Sequence, residues 1–262
     1  MSTIGEAERK AQIRVIDLLS AHRTDAPGGL GWRYLGDWKQ RDGNANIEVT
    51  LLRPWLLSRG YAPEIVTQAI TRLEREARME GTKLYDANQS FFAMLRYGVA
   101  IAPGPGEAPV TVRFVDWADP SANDMAVAEE VAVKGKDAKA WNKRPDLVLY
   151  VNGIALGMVE LKKSTVGVGE GIRQTLDNQR PEFIRYFFTT VQITFAGNDS
   201  EGLRYAAIQT PQPYWLAWKE PSAITGPLDR DVTQMMAPAR FLELIHDFTL
   251  FDGGIKKIAR PN

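Results

Sequence analysis

The spacing of hydrophobic residues predicts four helices in the first hundred residues. Apolar positions recur at helical intervals over residues 5–20, 46–59 and 86–97. A further helix is predicted from Pro63 toward Met79, because proline is favoured in the first turn of a helix. Pro54 is expected to interrupt the second helix, and Gly60 is expected to cap its end. A loop rich in proline and glycine at residues 102–109 then closes this helical third of the chain.

The middle of the chain is dominated by apolar, β-branched and aromatic runs, which indicate strands. Strands are predicted at residues 111–117, 125–133, 146–151, 154–161, 191–196 and 205–209. Residues 214–218 are expected to pair at an edge, and helices are predicted at 169–187 and 237–248. Helices flanking a mixed central sheet make an α/β, or α+β layered, fold. We divide the chain into an N-terminal helix with an irregular segment (1–40) and one large domain (41–262).

Two of these strands flank the dipeptide Asn152-Gly153 and form the most informative part of the chain. Residues 147–151 are an unbroken apolar run, as expected of a strand covered on both faces. Asn-Gly suits a type I′ turn, in which both central residues have positive φ. An ideal hairpin would place Asp146 opposite Val159 rather than Glu160, with the two carboxylates on opposite faces. Either Asp146 precedes the regular strand or a β-bulge re-aims it.

Composition narrows the classes of function. A hydrophobic content of 44% is typical of globular domains. No apolar run approaches the ~18 residues that a helix needs to span a membrane. The N-terminus is also unlike a secretory signal peptide. With no cysteine and only His22 and His246, the chain lacks a disulfide framework and the ligands for a zinc site. Lys plus Arg equals Asp plus Glu at 32 each, so the chain lacks the positive excess of domains that grip nucleic acid alone.

The far end of the hairpin carries Asp146 on one strand, and Glu160 and Lys162 on the other. A carboxylate pair holds a hard divalent cation through oxygen ligands, and the cation can polarise a phosphodiester and activate water. A neighbouring lysine can steady the attacking water or the developing charge. The pattern therefore predicts a metal-dependent nuclease, although a surface hairpin with charged ends is an alternative reading of so short a motif. Burial of the strands favours the nuclease, because a buried charge is costly.

Several segments in and around this hairpin carry a family resemblance. They are residues 142–156, Val159-Glu-Leu-Lys-Lys-Ser164, 171–179, Ala196-Gly-Asn198, Gly202-Leu-Arg-Tyr205 and 241–248. Through them the chain resembles the N-terminal region of the restriction (R) subunit of type I restriction-modification enzymes, often called HsdR. In that family this region is a restriction-endonuclease-like domain of the PD-(D/E)xK class, and it cleaves DNA after ATP-driven translocation.

The resemblance implies roles for individual residues. Asp146 and Glu160 would be metal ligands together with the carbonyl of Leu161, and Lys162 would be the catalytic lysine. The family also carries a Q-x-x-x-Y motif on the helix after the second strand. Gln174 matches its glutamine, whereas Asn178 stands where tyrosine is usual, so Gln179 is a rival candidate. Nucleases of this class often use an acidic residue from an early helix, for which Glu48 is the best match, with a solvated helix-face glutamate as the alternative.

The resemblance also implies cofactors and partners. The chain would be the nuclease domain of a type I site-specific deoxyribonuclease, using Mg²⁺, for which Mn²⁺ can substitute, and acting on double-stranded DNA. ATP would be used only by the full-length subunit, because no G-x-x-x-x-G-K-[ST] loop occurs here. We therefore expect a fragment or truncated R subunit. Its partners would be the methyltransferase and specificity subunits, without a membrane, in the cytoplasm.

Other readings remain open at this stage. The same fold class includes stand-alone repair and junction-resolving nucleases, and a third reading is a non-catalytic docking module for the methyltransferase core. A cluster of basic residues ahead of Asp146 either guides DNA or is an ordinary solvated loop; its members are Lys134, Lys136, Lys139, Lys143 and Arg144. The seven tryptophans are expected to pack in the core or at interfaces rather than stack on bases.

Overall fold

The computed structural model of the protein describes residues 3–20, 29–104, 106–136 and 139–259, and the side chains from residue 8 onward. Seven α-helices occur in these ranges: α1 (Thr3–Ser20), α2 (Val49–Ser58), α3 (Pro63–Ala77), α4 (Leu84–Tyr97), α5 (Val168–Asn178), α6 (Pro227–Met235) and α7 (Pro238–His246). Helices α3 and α4 correspond closely to predicted helices, and α2 continues through Pro54 without interruption.

The strands form one mixed seven-stranded sheet and two short hairpins. The sheet contains β1 (Arg33–Asp37), β4 (Met125–Glu129), β5 (Leu147–Val151), β6 (Ile154–Leu161), β7 (Ile193–Asn198), β8 (Gly202–Ala206) and β9 (Leu216–Ala217), in the order β1-β4-β5-β6-β7-β8-β9. Strand pairs β1–β4 and β6–β7 are parallel, and the other neighbours are antiparallel. The separate hairpins are β2 (Val99–Ile101) with β3 (Val110–Val112), and β10 (Thr249–Asp252) with β11 (Ile255–Ile258).

Helices cover both faces of this sheet. Every residue of β5, β6 and β7 is buried, as expected of central strands with two covered faces. The larger core cluster packs α1, α2, α3, α6 and α7 against one face. Two smaller clusters cover the other face, one of them formed with α5. The layered α+β fold predicted from the sequence is confirmed, and helix α1 packs into the larger core; the boundary at residue 40 stays a prediction.

Several predicted elements differ from the observed ones. The helix predicted at 169–187 ends at Asn178, and a 3-10 segment follows at Arg185–Thr189, because Pro181 disfavours helical backbone in the residue before it. The strand predicted at 111–117 pairs only as β3, in the small hairpin. Strand β4 ends at Glu129, since Glu130 adopts a positive φ of 53°.

A buried lysine anchors the C-terminal hairpin to the main body. Lys256 is 2% exposed, and its ammonium group donates to the side-chain oxygens of Asn88 on α4 and of Gln192 just before β7. The rings of Phe92 and Phe251 lie within 6 Å of its nitrogen. Burial holds the pKa of Lys256 well below that of an ordinary lysine.

Candidate active site

The hairpin of β5 and β6 contains a bulge that resolves the register conflict. Asn152 and Gly153 both have positive φ, as a type I′ turn requires. Beyond the turn Tyr150 pairs with Ala155, but the next pair joins Leu149 to Gly157, so Leu156 is an extra residue. The remaining pairs, ending with Leu147 and Val159, are shifted by one position. The bulge therefore places Asp146 opposite Glu160, and Asp146 also lies just outside the regular strand.

The two carboxylates meet on the face of the sheet that α5 covers. The backbone N–H of Leu161 donates to Oδ2 of Asp146 at 2.6 Å, which ties the start of β5 to the end of β6. The carboxyl groups of Asp146 and Glu160 are close enough to share a hydrogen bond. Asp146 is partly buried, whereas Glu160 is fully buried. The structure thus brings together the two residues that the sequence motif predicts as metal ligands.

Helix α5 supplies two amide groups to Glu160. Gln174 donates from Nε2 to Oε2 of Glu160 at 2.7 Å, and Asn178, one turn later, donates from Nδ2 to Oε1 at 3.0 Å. Residues four apart lie on the same side of a helix, so both reach the same carboxylate. Gly171 gives the helix room at this contact, since a Cβ there would lie 3.3 Å from Ala196 and 3.4 Å from the carbonyl oxygen of Glu160.

Burial makes the carboxyl groups of Asp146 and Glu160 weaker acids than ordinary carboxyl groups. Desolvation raises the pKa of Asp146 to about 6; the Leu161 N–H and the charge of Lys162 oppose this, and the carboxylates of Glu130 and Glu8 add to it. The pKa of Glu160 is raised well above its ordinary value, first by burial and then by the charge of Asp146. Two adjacent carboxylates cannot both ionise easily in a buried site. Both carboxyl groups therefore keep their protons to a higher pH than ordinary carboxyl groups do.

Lys162 lies two residues beyond Glu160, where β6 ends, and it is partly buried. Its backbone N–H donates to the carbonyl of Gly197 at 2.8 Å, which extends the pairing with β7. The charge of Lys162 lowers the pKa of both Asp146 and Glu160. The lysine is therefore held beside the carboxylate pair by the same strand that carries Glu160.

The donor set suits a hard divalent cation. Among the described residues, no lysine or arginine forms an ion pair with Asp146 or Glu160. The amide oxygen of Asn178 next to them is buried without a hydrogen-bond partner. Carboxylate and carbonyl oxygens are the preferred ligands of Mg²⁺. Within the described ranges no group of three or more His, Cys, Asp or Glu residues could hold a metal ion, so a cation here would rely on two carboxylates and the main-chain carbonyl of Leu161.

Helix α1 brings to the site residues that the sequence reasoning missed. Glu8 is partly buried, and its charge raises the pKa of Asp146. Gln12 donates to the backbone carbonyl of Asp146 at 3.1 Å. Glu8 is thus an acidic residue of an early helix whose charge acts on Asp146. The contact joins residues more than 130 positions apart, and no local pattern in the sequence indicates it.

Glu48 and Gln179 lie away from the carboxylate pair. The carboxylate of Glu48 is bound by both terminal nitrogens of Arg41, at 3.0 and 2.6 Å. The backbone N–H of Glu48 donates to Gly153 in the turn, at the opposite end of the hairpin. Gln179 instead accepts from the N–H of Gln209 and donates to the carbonyl of Thr175. The structure thus places Asn178, rather than Gln179, on Glu160.

The basic cluster ahead of Asp146 is largely engaged with neighbouring groups. Lys134 pairs with Asp42 at 3.0 Å, and Arg144 pairs with Glu130 at 2.6 Å. Lys136 donates to two backbone carbonyls, and Lys143 lies 3.9 Å above the ring of Phe183. Lys139 is exposed. A role of these residues in guiding DNA stays a prediction. Of the two histidines, His22 lies outside the described residues, and His246 packs against Trp117.

Comparison with known proteins identifies a family. A family model described as "Type I restriction enzyme R protein N terminus" matches residues 25–213. The match includes the carboxylate pair, Lys162 and the face of α5 that contacts Glu160, and it leaves out α1. No curated protein matches the chain. In the part of the chain that is described, none of the helices is both long and apolar enough to cross a membrane.

Proposed function

The chain belongs to the family of type I restriction enzyme R protein N termini, and from this premise we propose that it is the metal-dependent DNA endonuclease domain of such an enzyme. The observation that carries the proposal is the carboxylate pair of Asp146 and Glu160. Both groups are held together with raised pKa values, next to Lys162, and no arginine in the described part of the chain pairs with them. Such a pair is costly in a folded protein unless it binds a cation.

Asp146, Glu160 and the carbonyl of Leu161 would hold Mg²⁺, for which Mn²⁺ can substitute. A bound ion would supply charge stabilisation at the scissile phosphate and a lower pKa for the attacking water. The N–H of Leu161 holds Asp146 in position. Gln174 and Asn178 hold the two oxygens of Glu160. These contacts fix both ligands before substrate arrives, which reduces the cost of organising the site.

Lys162 is the residue we assign to the reacting phosphate. Its ammonium group would donate to the attacking water or to a non-bridging oxygen, where negative charge grows in the transition state. The substrate is double-stranded DNA. Cleavage is coupled to ATP-driven translocation by other domains of the R protein, within a complex that contains the methyltransferase and specificity subunits.

The test uses an R protein that carries its ATP-driven domains. We would replace Lys162 by alanine and measure ATP hydrolysis and DNA cleavage side by side. The matched control is Lys163→Ala, which removes the same charge from the next residue in the chain. We expect cleavage to fall about a thousandfold in Lys162→Ala only, with ATP hydrolysis unchanged in both. Full cleavage by Lys162→Ala would contradict the proposal and favour a docking module for the methyltransferase core.

A further inference from the structure

A second polar site lies at the turn end of the hairpin, away from the carboxylate pair. It is a cleft of about 360 Å³ lined by Trp55, Arg59, Tyr61, Arg96, Arg113 and Trp117. Asp116 and His246 complete its polar lining. These residues come from α2 and the connection that follows it, from α4, from α7 and from the segment after β3, so separate parts of the chain converge on one opening.

Hydrogen bonds connect this cleft to the turn rather than to the carboxylates. The N–H of Asp116 donates to the side chain of Asn123, which in turn accepts from the side chain of Asn152 in the turn. Strand β5 contains five residues, so its two ends are about 14 Å apart. A ligand in the cleft would therefore be separate from a phosphate at Asp146.

The cleft concentrates positive charge in a chain of zero net charge. It contains three arginines and one acidic residue, Asp116. Asp116 accepts from Arg59 at 2.7 Å. Neither Arg96 nor Arg113 has an acidic partner among the described residues; the guanidinium of Arg96 lies 6.0 Å from the ring of Tyr97. Two guanidinium groups are thus available to an anion, and guanidinium forks suit phosphate oxygens.

The aromatic side chains of the cleft are held in fixed orientations. The indole N–H of Trp55 donates to the carbonyl of Ala122 at 2.9 Å, and that of Trp117 donates to Leu95 at 3.0 Å. Both rings are only partly buried. Arg59 lies 5.8 Å from the centre of the Trp55 ring, and His246 packs against Trp117. With their N–H groups bound to backbone, what the rest of each ring offers a ligand is apolar surface. Fixed aromatic surfaces beside cations are the features that hold the bases and phosphates of single-stranded nucleic acids.

We propose that this cleft binds one nucleotide, with its phosphate on Arg96 and Arg113 and its base against Trp55 and Trp117. Paired duplex DNA does not present its base faces, so the ligand is a free nucleotide or a nucleotide within a single strand. Binding does not depend on the carboxylate pair. The site is therefore distinct from the proposed cleavage site in position, in chemistry and in the form of nucleic acid that it accepts.

The test measures tryptophan fluorescence of the full chain without divalent cations, so that no cleavage occurs. The probes are thymidine monophosphate and octathymidylate, compared with thymidine, inorganic phosphate and a blunt duplex. We expect saturable quenching by one or both of the first two, and binding of the other three to be about tenfold weaker or absent. Equal affinity for the monophosphate and the oligomer identifies a mononucleotide site, and preference for the oligomer identifies a single-strand site; either supports the proposal.

Substitutions in the cleft would show whether the nucleotide binds there. Arg96→Ala with Arg113→Ala should weaken it about tenfold, and Trp117→Phe should remove most of the quenching. Arg72→Ala is the matched control, because Arg72 is an exposed arginine on α3 that donates to the carbonyl of Ala100; binding should be unchanged. Circular dichroism would verify that each variant is folded. Undiminished binding in the folded double variant, equal binding of thymidine or phosphate, or no quenching by any probe would overturn the proposal.

Discussion

A buried glutamate lies at each end of the β5–β6 hairpin, and the two carboxyl groups have different kinds of partner. At the turn end, Glu48 is 4% exposed, and Arg41 binds both of its oxygens. At the other end, Glu160 is fully buried, and its oxygens receive two neutral amides, with the carboxyl group of Asp146 as a further neighbour. Glu129 resembles Glu48, since Arg9 forms a fork with both of its oxygens.

The difference separates a structural charge from one kept for a ligand. A buried carboxylate with an arginine fork has its charge balanced inside the fold. The pair at Asp146 and Glu160 has no such partner within the described ranges, so the fold itself is less stable there when both groups are ionised. Ionisable groups that are strongly perturbed, at a local cost in stability, often mark a functional site. Four predictions test whether this comparison holds, beginning with the largest effect.

Replacing Glu160 by glutamine should abolish cleavage. The amide keeps the shape of the side chain but removes the charge that would bind the cation, so we expect cleavage by the R protein to fall about a thousandfold or more. Glu48→Gln is the control at the other end and should leave cleavage by the folded protein unchanged. The measurement is the rate of DNA cleavage at saturating ATP and Mg²⁺. Equal losses in the two variants would remove the distinction between the two ends.

The same two substitutions should change stability in opposite directions. Glu48→Gln leaves Arg41 without its carboxylate and should lower the free energy of unfolding by about 2 kcal/mol. Glu160→Gln removes repulsion from Asp146 and should raise the melting temperature by a few degrees at neutral pH, since about 1 kcal/mol shifts it by roughly 2–4 °C in a domain of this size. Thermal unfolding without divalent cations measures both. A decrease in both variants would mean that Glu160 is a structural residue too.

The stability of the wild-type chain should fall as pH rises through 6. The pKa of Asp146 is raised to about 6 in the fold, so the folded state holds its proton more tightly than the unfolded state does. This contribution is present in full below about pH 4 and is lost as pH rises past 6, by at most about 3 kcal/mol. Chemical unfolding across this range should show the slope, and Asp146→Asn with Glu160→Gln should flatten it. Added Mg²⁺ should raise stability above pH 6 in the wild type alone.

The amides of α5 should have smaller effects than the carboxylates. Gln174→Leu and Asn178→Leu each remove one hydrogen bond to Glu160, so cleavage should fall about tenfold in each. The readout that separates positioning from folding is the Mg²⁺ concentration needed for half-maximal cleavage, which should rise. Gln179→Leu, whose side chain binds Gln209 and Thr175 instead, should leave that concentration unchanged. If all three variants needed the same Mg²⁺ concentration as the wild type, the amides of α5 would have no part in positioning Glu160 for the cation.

The sequence predicts the parts of this site that are local in the chain. Asp146, Glu160, Lys162 and Gln174 lie within thirty residues, and the strands and the turn between them have strong local signals. The register conflict pointed to a bulge as one of two solutions, but no local signal in the sequence places it at Leu156. Contacts from α1 were missed for a related reason. Glu8 and Gln12 reach Asp146 through the tertiary fold, and on an amphipathic helix they look like ordinary polar residues.

The fold shows the same division between local and distant causes. The central strands and the predicted helices over α2, α3 and α4 follow from apolar spacing. Helix α6 was missed, although its Asp231 accepts from the N–H of Leu203 on β8 and so fixes that edge of the sheet. This contact joins two residues that are 28 positions apart in the chain, and hydrophobic periodicity gives no indication of such a contact.

The extra residue in β6 gives the hairpin one position of slack, and this slack has a direction. Deleting Leu156 would remove the bulge and leave Asp146 opposite Glu160, because the residues from Gly157 onward keep their partners in β5. Inserting one residue between Gly157 and Glu160 would instead shift Glu160 out of register and turn it to the other face of the sheet. We therefore expect cleavage to survive the deletion far better than the insertion. The longer strand of this hairpin can lose one residue at the bulge, but it cannot gain another.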